Sequence, residues 1–211
     1  MCSLTASLLD LAPVVPVVVL RDLDTAVPLA RALVAGGLPV LEITLRTPEG
    51  LAAIERIADQ VPGAVVGAGT VLMPADATAA VRAGARFLVS PGAPPRLLDA
   101  LADSGVAALP GAATATEVMA LVERGFTEVK LFPAAEVGGA ALLRALAGPL
   151  PDVRFCPTGG ITAANAPAYL ALPNVACVGG TWLTPADAVA AGDWARVEDL
   201  ARAAAALRTA A

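Results

Sequence analysis

The sequence predicts a (β/α)8 barrel with a short N-terminal helix, formed as one domain over residues 1–211. Three observations lead there. Short Val- and Leu-rich runs alternate with helix-period segments along the whole chain. The runs are apolar at both parities, as parallel strands covered on both faces must be. The alternation repeats eight times, the number that closes a barrel. No linker or low-complexity stretch divides the chain, so the repeat is assigned to the barrel itself. An open doubly wound sheet would need a GxGxxG turn after the first strand, and none stands there.

Met1 to Leu11 reads as a short helix with Leu4, Leu8 and Leu11 on one face, stopped by Pro13. The first strand is expected over Val14–Leu20, and Asp24 is the expected cap of the helix that Gly36 and Gly37 end. Further strands are expected at Val40–Leu45, Ala64–Ala68, Phe87–Ser90, Val106–Leu109, Glu128–Phe132, Val153–Cys156 and Val175–Val178. Helices are expected at Pro48–Val61, Pro74–Ala83, Pro95–Asp103, Thr114–Arg124, Gly139–Leu146, Ala163–Leu170 and Asp193–Leu207.

With 57% hydrophobic but only 3% aromatic residues, the core must be built from Ala, Val and Leu, which suits close layers of helix on sheet. A net charge of -5 and the lack of a basic run argue against nucleic acid as a partner. Histidine is absent, which removes Ser-His-Asp and Cys-His catalysis, His-ligated zinc and a His general base. Cys2, Cys156 and Cys177 have neither disulfide-framework nor CxxC spacing, and the latter two read as small buried hydrophobes. Phe155 to Ala186 carries no charge, but Pro157, Gly159, Gly160, Asn165, Pro167, Pro173 and Asn174 break it as a membrane span. With no basic segment leading into an apolar one at the N-terminus, a cytoplasmic protein is expected.

Nearly every cation is Arg, yet the single lysine, Lys130, lies in the apolar run Glu128-Val129-Lys130-Leu131-Phe132. A desolvated Lys can give up its proton and act as a nucleophile, whereas Arg cannot. The alternative is a Lys whose stem packs on apolar surface while its head reaches water. Strand parity puts Val40, Glu42, Thr44 and Arg46 on the inner side and Leu41, Ile43 and Leu45 toward the helices. The same parity points Lys130 inward with Glu128 and Phe132, so Glu42 and Lys130 can meet inside the barrel. A carboxylate alone there would carry a large desolvation cost and needs a partner. A purely structural ion pair is the competing reading. Glycine turns at Gly67-Ala68-Gly69-Thr70, Thr158-Gly159-Gly160 and Gly179-Gly180-Thr181 follow strands three, seven and eight. Glycines let backbone N–H groups approach an anion, and the loops after the last two strands are the usual phosphate site of this fold.

Four stretches, Val40-Leu41-Glu42-Ile43-Thr44-Leu45-Arg46-Thr47, Val66 to Leu72, Val129 to Ala134 and Arg154 to Ile161, resemble the bacterial 2-keto-3-deoxy-6-phosphogluconate (KDPG) and 4-hydroxy-2-oxoglutarate (KHG) aldolases. The resemblance runs from about Pro13 to the final helix. It implies a metal-free class I aldolase, without a cofactor, acting on pyruvate and a phosphorylated aldehyde as a homotrimer. It implies that Lys130 forms the Schiff base and that Glu42 is the general acid/base. Arg46 and Thr70 would hold the pyruvate carboxylate. Thr158, Gly159, Gly160, Gly180 and Thr181 would contact the phosphate, with Pro91 and Phe132 as further substrate-binding positions. Two departures stand out. Thr181 occupies a position where many relatives carry Ser, and Ala135 followed by Glu136 replaces a Glu often found two residues after the Pro of the sixth-strand motif.

The residues suit that chemistry by themselves. An imine needs the free amine, a guanidinium can grip a carboxylate with two parallel hydrogen bonds, and without His a glutamate is left to carry protons. Two other readings remain open: an aldolase for unphosphorylated 4-hydroxy-2-oxo acids, and a catalytically silent trimeric scaffold. A metal-dependent epimerase would want His ligands.

Overall fold

A computed structural model describes residues 7–208. The strands are β1 (Val14–Val18), β2 (Val40–Thr44), β3 (Val65–Gly69), β4 (Phe87–Val89), β5 (Ala107–Leu109), β6 (Gly111–Ala112), β7 (Glu128–Leu131), β8 (Arg154–Pro157) and β9 (Val178–Gly180). Every pairing is parallel, as strands apolar on both faces require. They form a six-stranded sheet in the order β5-β4-β3-β2-β1-β9, curled as a half-barrel, and a three-stranded sheet in the order β6-β7-β8. This is the α/β, parallel-strand architecture expected, divided into two sheets where the sequence suggested one ring.

The division falls at Pro110, directly after the expected fifth strand Val106–Leu109. Pro110 has no N–H to donate, so the segment breaks into β5, which pairs with β4, and β6, which pairs with β7. The carbonyl of Pro110 still accepts from Lys130 N at 3.0 Å. The eighth strand lies later than expected, at Val178–Gly180, and Val175 makes only an isolated bridge to Phe155. A second isolated bridge joins Thr158 to Gly179.

The helices between strands are α1 (Ala26–Ala35), α2 (Gly50–Gln60), α3 (Pro74–Arg82), α4 (Pro95–Ala102), α5 (Ala115–Glu123), α6 (Gly139–Ala147) and α7 (Ala166–Leu170). The chain closes with α8 (Ala186–Ala191) and α9 (Trp194–Ala205), where one helical tail was expected. Asp22, rather than Asp24, caps the first helical segment, accepting from Asp24 N at 3.0 Å, while Asp24 pairs with Arg56. None of the described helices is long and apolar enough to cross a membrane.

Parity along the strands sorts the interior into two clusters. Leu41, Ile43, Val129 and Leu131 join the large cluster between strands and helices. Val40, Val15, Phe87, Val89, Leu109, Cys156 and Cys177 form a second cluster with Leu8 and Leu9. The two cysteines are therefore the small buried hydrophobes expected of them; Cys2 and Leu4 lie outside the described residues. Leu8 and Leu9 sit on a 3-10 turn, Leu8–Asp10, capped by Ser7. Arg154, the first residue of β8, pairs with Asp10 and with Glu128, the first residue of β7, and Ser7 donates to Glu128. The turn is thus pinned at the amino-terminal end of the strands.

Candidate active site

Lys130 and Glu42 are the third residues of β7 and β2, and both are buried, at 3% and 2% exposure. Lys130 Nζ lies 3.1 Å from Glu42 Oε1, and 5.4 Å from the centroid of the Phe132 ring. The pairing that parity allowed is therefore present, and the reading in which the lysine head reaches water is not. Its surroundings are built to hold the carboxylate in place. A methyl group on Gly69 would overlap Glu42 Oε1 and Cγ, so only glycine leaves the carboxylate its place. Gly67 likewise makes room for the Phe87 ring. Neither glycine has a positive φ, so their function is space rather than backbone freedom.

Thr70 follows Gly69 directly and has φ 58, left-handed backbone that a β-branched residue rarely adopts. Its hydroxyl accepts from Arg46 Nε at 3.0 Å. That contact occupies the Nε–H and leaves the outer fork of the exposed guanidinium toward solvent. One short segment, Gly69-Thr70, thus abuts the carboxylate and orients the guanidinium. Strain of this kind persists only where neighbours enforce it, and it collects at functional sites.

The remaining sequence candidates lie at the carboxyl ends of other strands. Pro91 follows β4 and packs on Gly111, where a side chain would overlap its backbone. Thr158 follows β8, is buried, and faces Gly179, which again has no room for a methyl group against the Thr158 hydroxyl. Gly159 and Gly160 take φ 98 and 71, which turn the chain back over Ala134 and Ala135. Ala134 N donates to Thr158 O at 2.8 Å and Ala135 N to Gly159 O at 3.1 Å. Gly180 ends β9, and Thr181 is exposed beyond it. No hydrogen bond among the described residues joins these turns to the lysine; they meet it through the ladder, where Lys130 is registered beside Cys156. Glu136, one place later than the Glu common in relatives, is exposed.

Register fixes the levels. Glu42 lies beside Val17 on β1 and Gly67 on β3, and Lys130 beside Gly111 and Cys156. Sequence reasoning missed the part played by Gly69. Its place in a glycine pair suggested anion approach, and nothing local in the sequence reveals that the atom it must avoid belongs to Glu42 of the neighbouring strand.

A parallel α/β fold with an amine and a carboxylate in contact, buried among its strands, is the class this molecule defines. Among the described residues there is no cluster of three or more His, Cys, Asp or Glu side chains placed to hold a metal ion. The family model described as KDPG and KHG aldolase matches residues 5–200, and the chain belongs to that family. It is 52% identical to the KHG/KDPG aldolase of Escherichia coli K12 over 196 residues, covering 93% of this chain and 92% of that protein. It is 50% identical to the 2-dehydro-3-deoxy-phosphogluconate aldolase of Pseudoalteromonas atlantica over 190 residues, covering 90% and 88%. The crystal structure of KDPG aldolase from Legionella pneumophila, with pyruvate captured at low pH as a covalent carbinolamine intermediate, superimposes with a TM-score of 0.92. That protein is 45% identical, with 93% of this chain and 96% of the other covered.

Proposed function

We propose that the chain is a class I aldolase that cleaves KDPG into pyruvate and glyceraldehyde 3-phosphate through a Schiff base on Lys130. The contact between Lys130 Nζ and Glu42 Oε1, 3.1 Å in a buried setting, carries the reading. It agrees with the covalent carbinolamine described for the Legionella relative.

The chemistry balances on these residues. Glu42 takes the ammonium proton of Lys130, whose free amine adds to the C2 carbonyl; the Glu42 carboxyl then gives that proton to the carbinolamine hydroxyl, which leaves as water and gives an iminium. Glu42 takes the proton of the C4 hydroxyl as the C3–C4 bond breaks; its electron pair flows into the iminium and leaves an enamine. Glyceraldehyde 3-phosphate departs, C3 takes a proton from the Glu42 carboxyl, and water hydrolyses the imine to free pyruvate. The iminium is the electron sink throughout, so the reaction calls on no metal. Arg46, oriented by Thr70, grips the carboxylate with its free fork and fixes which face of the enamine is open. Pro91 and Phe132 flank the pyruvate half. The Thr158-Gly159-Gly160 and Gly180-Thr181 turns receive the phosphate on backbone N–H groups and hydroxyls.

In this reading the chain is one domain, a closed (β/α)8 barrel. Two joins support closure: the continuous segment from β5 through Pro110 to β6, and the Phe155–Val175 and Thr158–Gly179 bridges between β8 and the β9 region. The enzyme is assigned as a cytoplasmic homotrimer, for which exposed Leu72, Met73 and Met119 offer apolar surface between copies.

Borohydride added with pyruvate should fix a pyruvyl mass on the native chain and none on Lys130→Arg. Native protein that gains no mass would refute the imine. Because the E. coli relative is named for both KHG and KDPG, a second reading takes unphosphorylated 4-hydroxy-2-oxoglutarate as substrate. Turnover of that acid equal to turnover of KDPG would favour it.

A further inference from the structure

A cavity of about 600 Å³ opens between α1 and α8, beside the carboxyl end of β1. Its walls are Val17 to Leu20, Leu29, Val189 and neighbouring alanines, and its polar groups are Arg21, Asp22, Thr25, Thr181 and Thr184, of which Asp22 is engaged in capping the turn after β1. A mostly apolar cleft of this size with a few converging polar groups has the form of a small-molecule site. Thr181 belongs both to this cavity and to the turn assigned to the phosphate.

The register shows why Arg21 matters. β1 lies between β2 and β9, with Val17 beside Glu42 and Pro16 beside Gly180. Thr181 therefore follows on at about the level of Val17 and Glu42, and Arg21 lies further along β1 at its carboxyl-terminal exit. Thr47, next to Arg46, donates its hydroxyl to Leu20 O, which ties the segments carrying Arg21 and Arg46 together. Two guanidinium groups thus stand at the ends of adjacent strands. Arg46 is turned toward β3 and held by Thr70, whereas Arg21 lines the cavity on the β9 side. Arg21 is exposed, and neither a hydrogen bond nor an ion pair holds it among the described residues. Arg96 lies on α4 beside Leu72 and Met73, beyond β3. The glycine turns offer a phosphate dianion N–H groups and hydroxyls but no formal positive charge. A guanidinium beside those turns would add a charge-assisted contact to the phosphate, as Arg46 does for the carboxylate.

We propose that Arg21 is that second cation: it pairs with the terminal phosphate beside Thr181 and sets the preference for phosphorylated over unphosphorylated 2-keto-3-deoxy acids. This rests on the aldolase reading and adds to it a specificity determinant outside the glycine turns. A charge-assisted contact to phosphate acts mainly in substrate capture, so its loss should appear in KM.

Arg21→Gln should lower kcat/KM for KDPG about tenfold, mostly through KM, and change that for the unphosphorylated analogue by less than about twofold. Arg21→Lys should recover part of the loss, and inhibition by inorganic phosphate should weaken in Arg21→Gln. Retained turnover of the unphosphorylated analogue shows that the variant is folded. Equal losses on both substrates, or no loss on KDPG, would overturn the assignment of Arg21. Borohydride trapping on the same samples separates the two readings. Trapped pyruvate with unchanged phosphate preference defeats only the Arg21 assignment, whereas native protein without trapped pyruvate defeats both.

Discussion

Lys130 and Glu42 satisfy each other inside a mostly apolar interior, at side-chain exposures of 4% and 3%. Such a pair is a weak source of stability, because desolvating both charges offsets most of their attraction. Removing one partner is a different matter, since the other charge is then left buried and alone. Lys130→Met should therefore destabilise the chain by about 3 kcal/mol, and adding Glu42→Leu should restore most of that, while both variants remain inactive. Urea unfolding of the two variants beside the native chain decides this. If the double variant is as unstable as Lys130→Met, the loss does not come from the stranded carboxylate. The residues of this pair were legible in the sequence because strand parity and the cost of an isolated carboxylate both point inward. The tether of Arg46 to Thr70 was not, because it depends on Thr70 entering left-handed backbone against its own preference.

At the scale of elements, local signals worked where they were strong. Thr114 begins α5 with a reciprocal cap: its hydroxyl accepts from Glu117 N at 3.3 Å, and Glu117 Oε2 accepts from Ala113 N and Thr114 N at 2.8 and 2.9 Å. The Ala113 amide holds the Glu117 carboxyl below the usual glutamate range; burial opposes it, and the Thr114 hydroxyl and amide add to the lowering. A depressed folded-state value means stability that is present above the unfolded value and is lost as pH falls through the folded one. Glu117→Ala should therefore cost about 0.5 kcal/mol near neutral pH, a small figure because the carboxylate is exposed. In urea titrations that cost should shrink as pH drops below the ordinary glutamate range, and a difference that persists in strong acid would contradict the cap. Weak signals failed. Ala186–Ala191 is too short to show a helical period, although Pro185 before it and Gly192 after it, at φ 66, frame a helix. Pro110 directly follows the Val106–Leu109 run and marks where β5 and β6 separate.

The whole molecule keeps its two ends apart in purpose. Arg154, Asp10, Glu128 and Ser7 bind the first turn across the amino-terminal end of the strands, while Lys130, Glu42, Arg46 and Thr70 gather toward the other end. In folds of this type conservation of chemistry belongs to the carboxyl ends and stability to the amino ends. Arg154→Met should lower stability by about 1 kcal/mol, since the guanidinium is part-exposed and joins several partners, and leave kcat within about twofold. A comparable fall in kcat would mean that the two ends are mechanically linked. The sequence made the parallel α/β layout plain through its two-sided apolar runs, but it could not show how far the strands close. Closure depends on isolated bridges between residues remote in sequence, which no local pattern records.

The same fastening has a bearing on how the chain is made. Arg154 joins Asp10 across a separation of 144 residues, and β1 finds one of its two neighbours only in β9. A polypeptide leaving the ribosome must therefore carry Val14–Val18 with one edge unpaired until β9 has been translated. An uncovered Val-rich edge is the surface on which other nascent chains pair, so the interval before β9 emerges is when this protein most needs a chaperone.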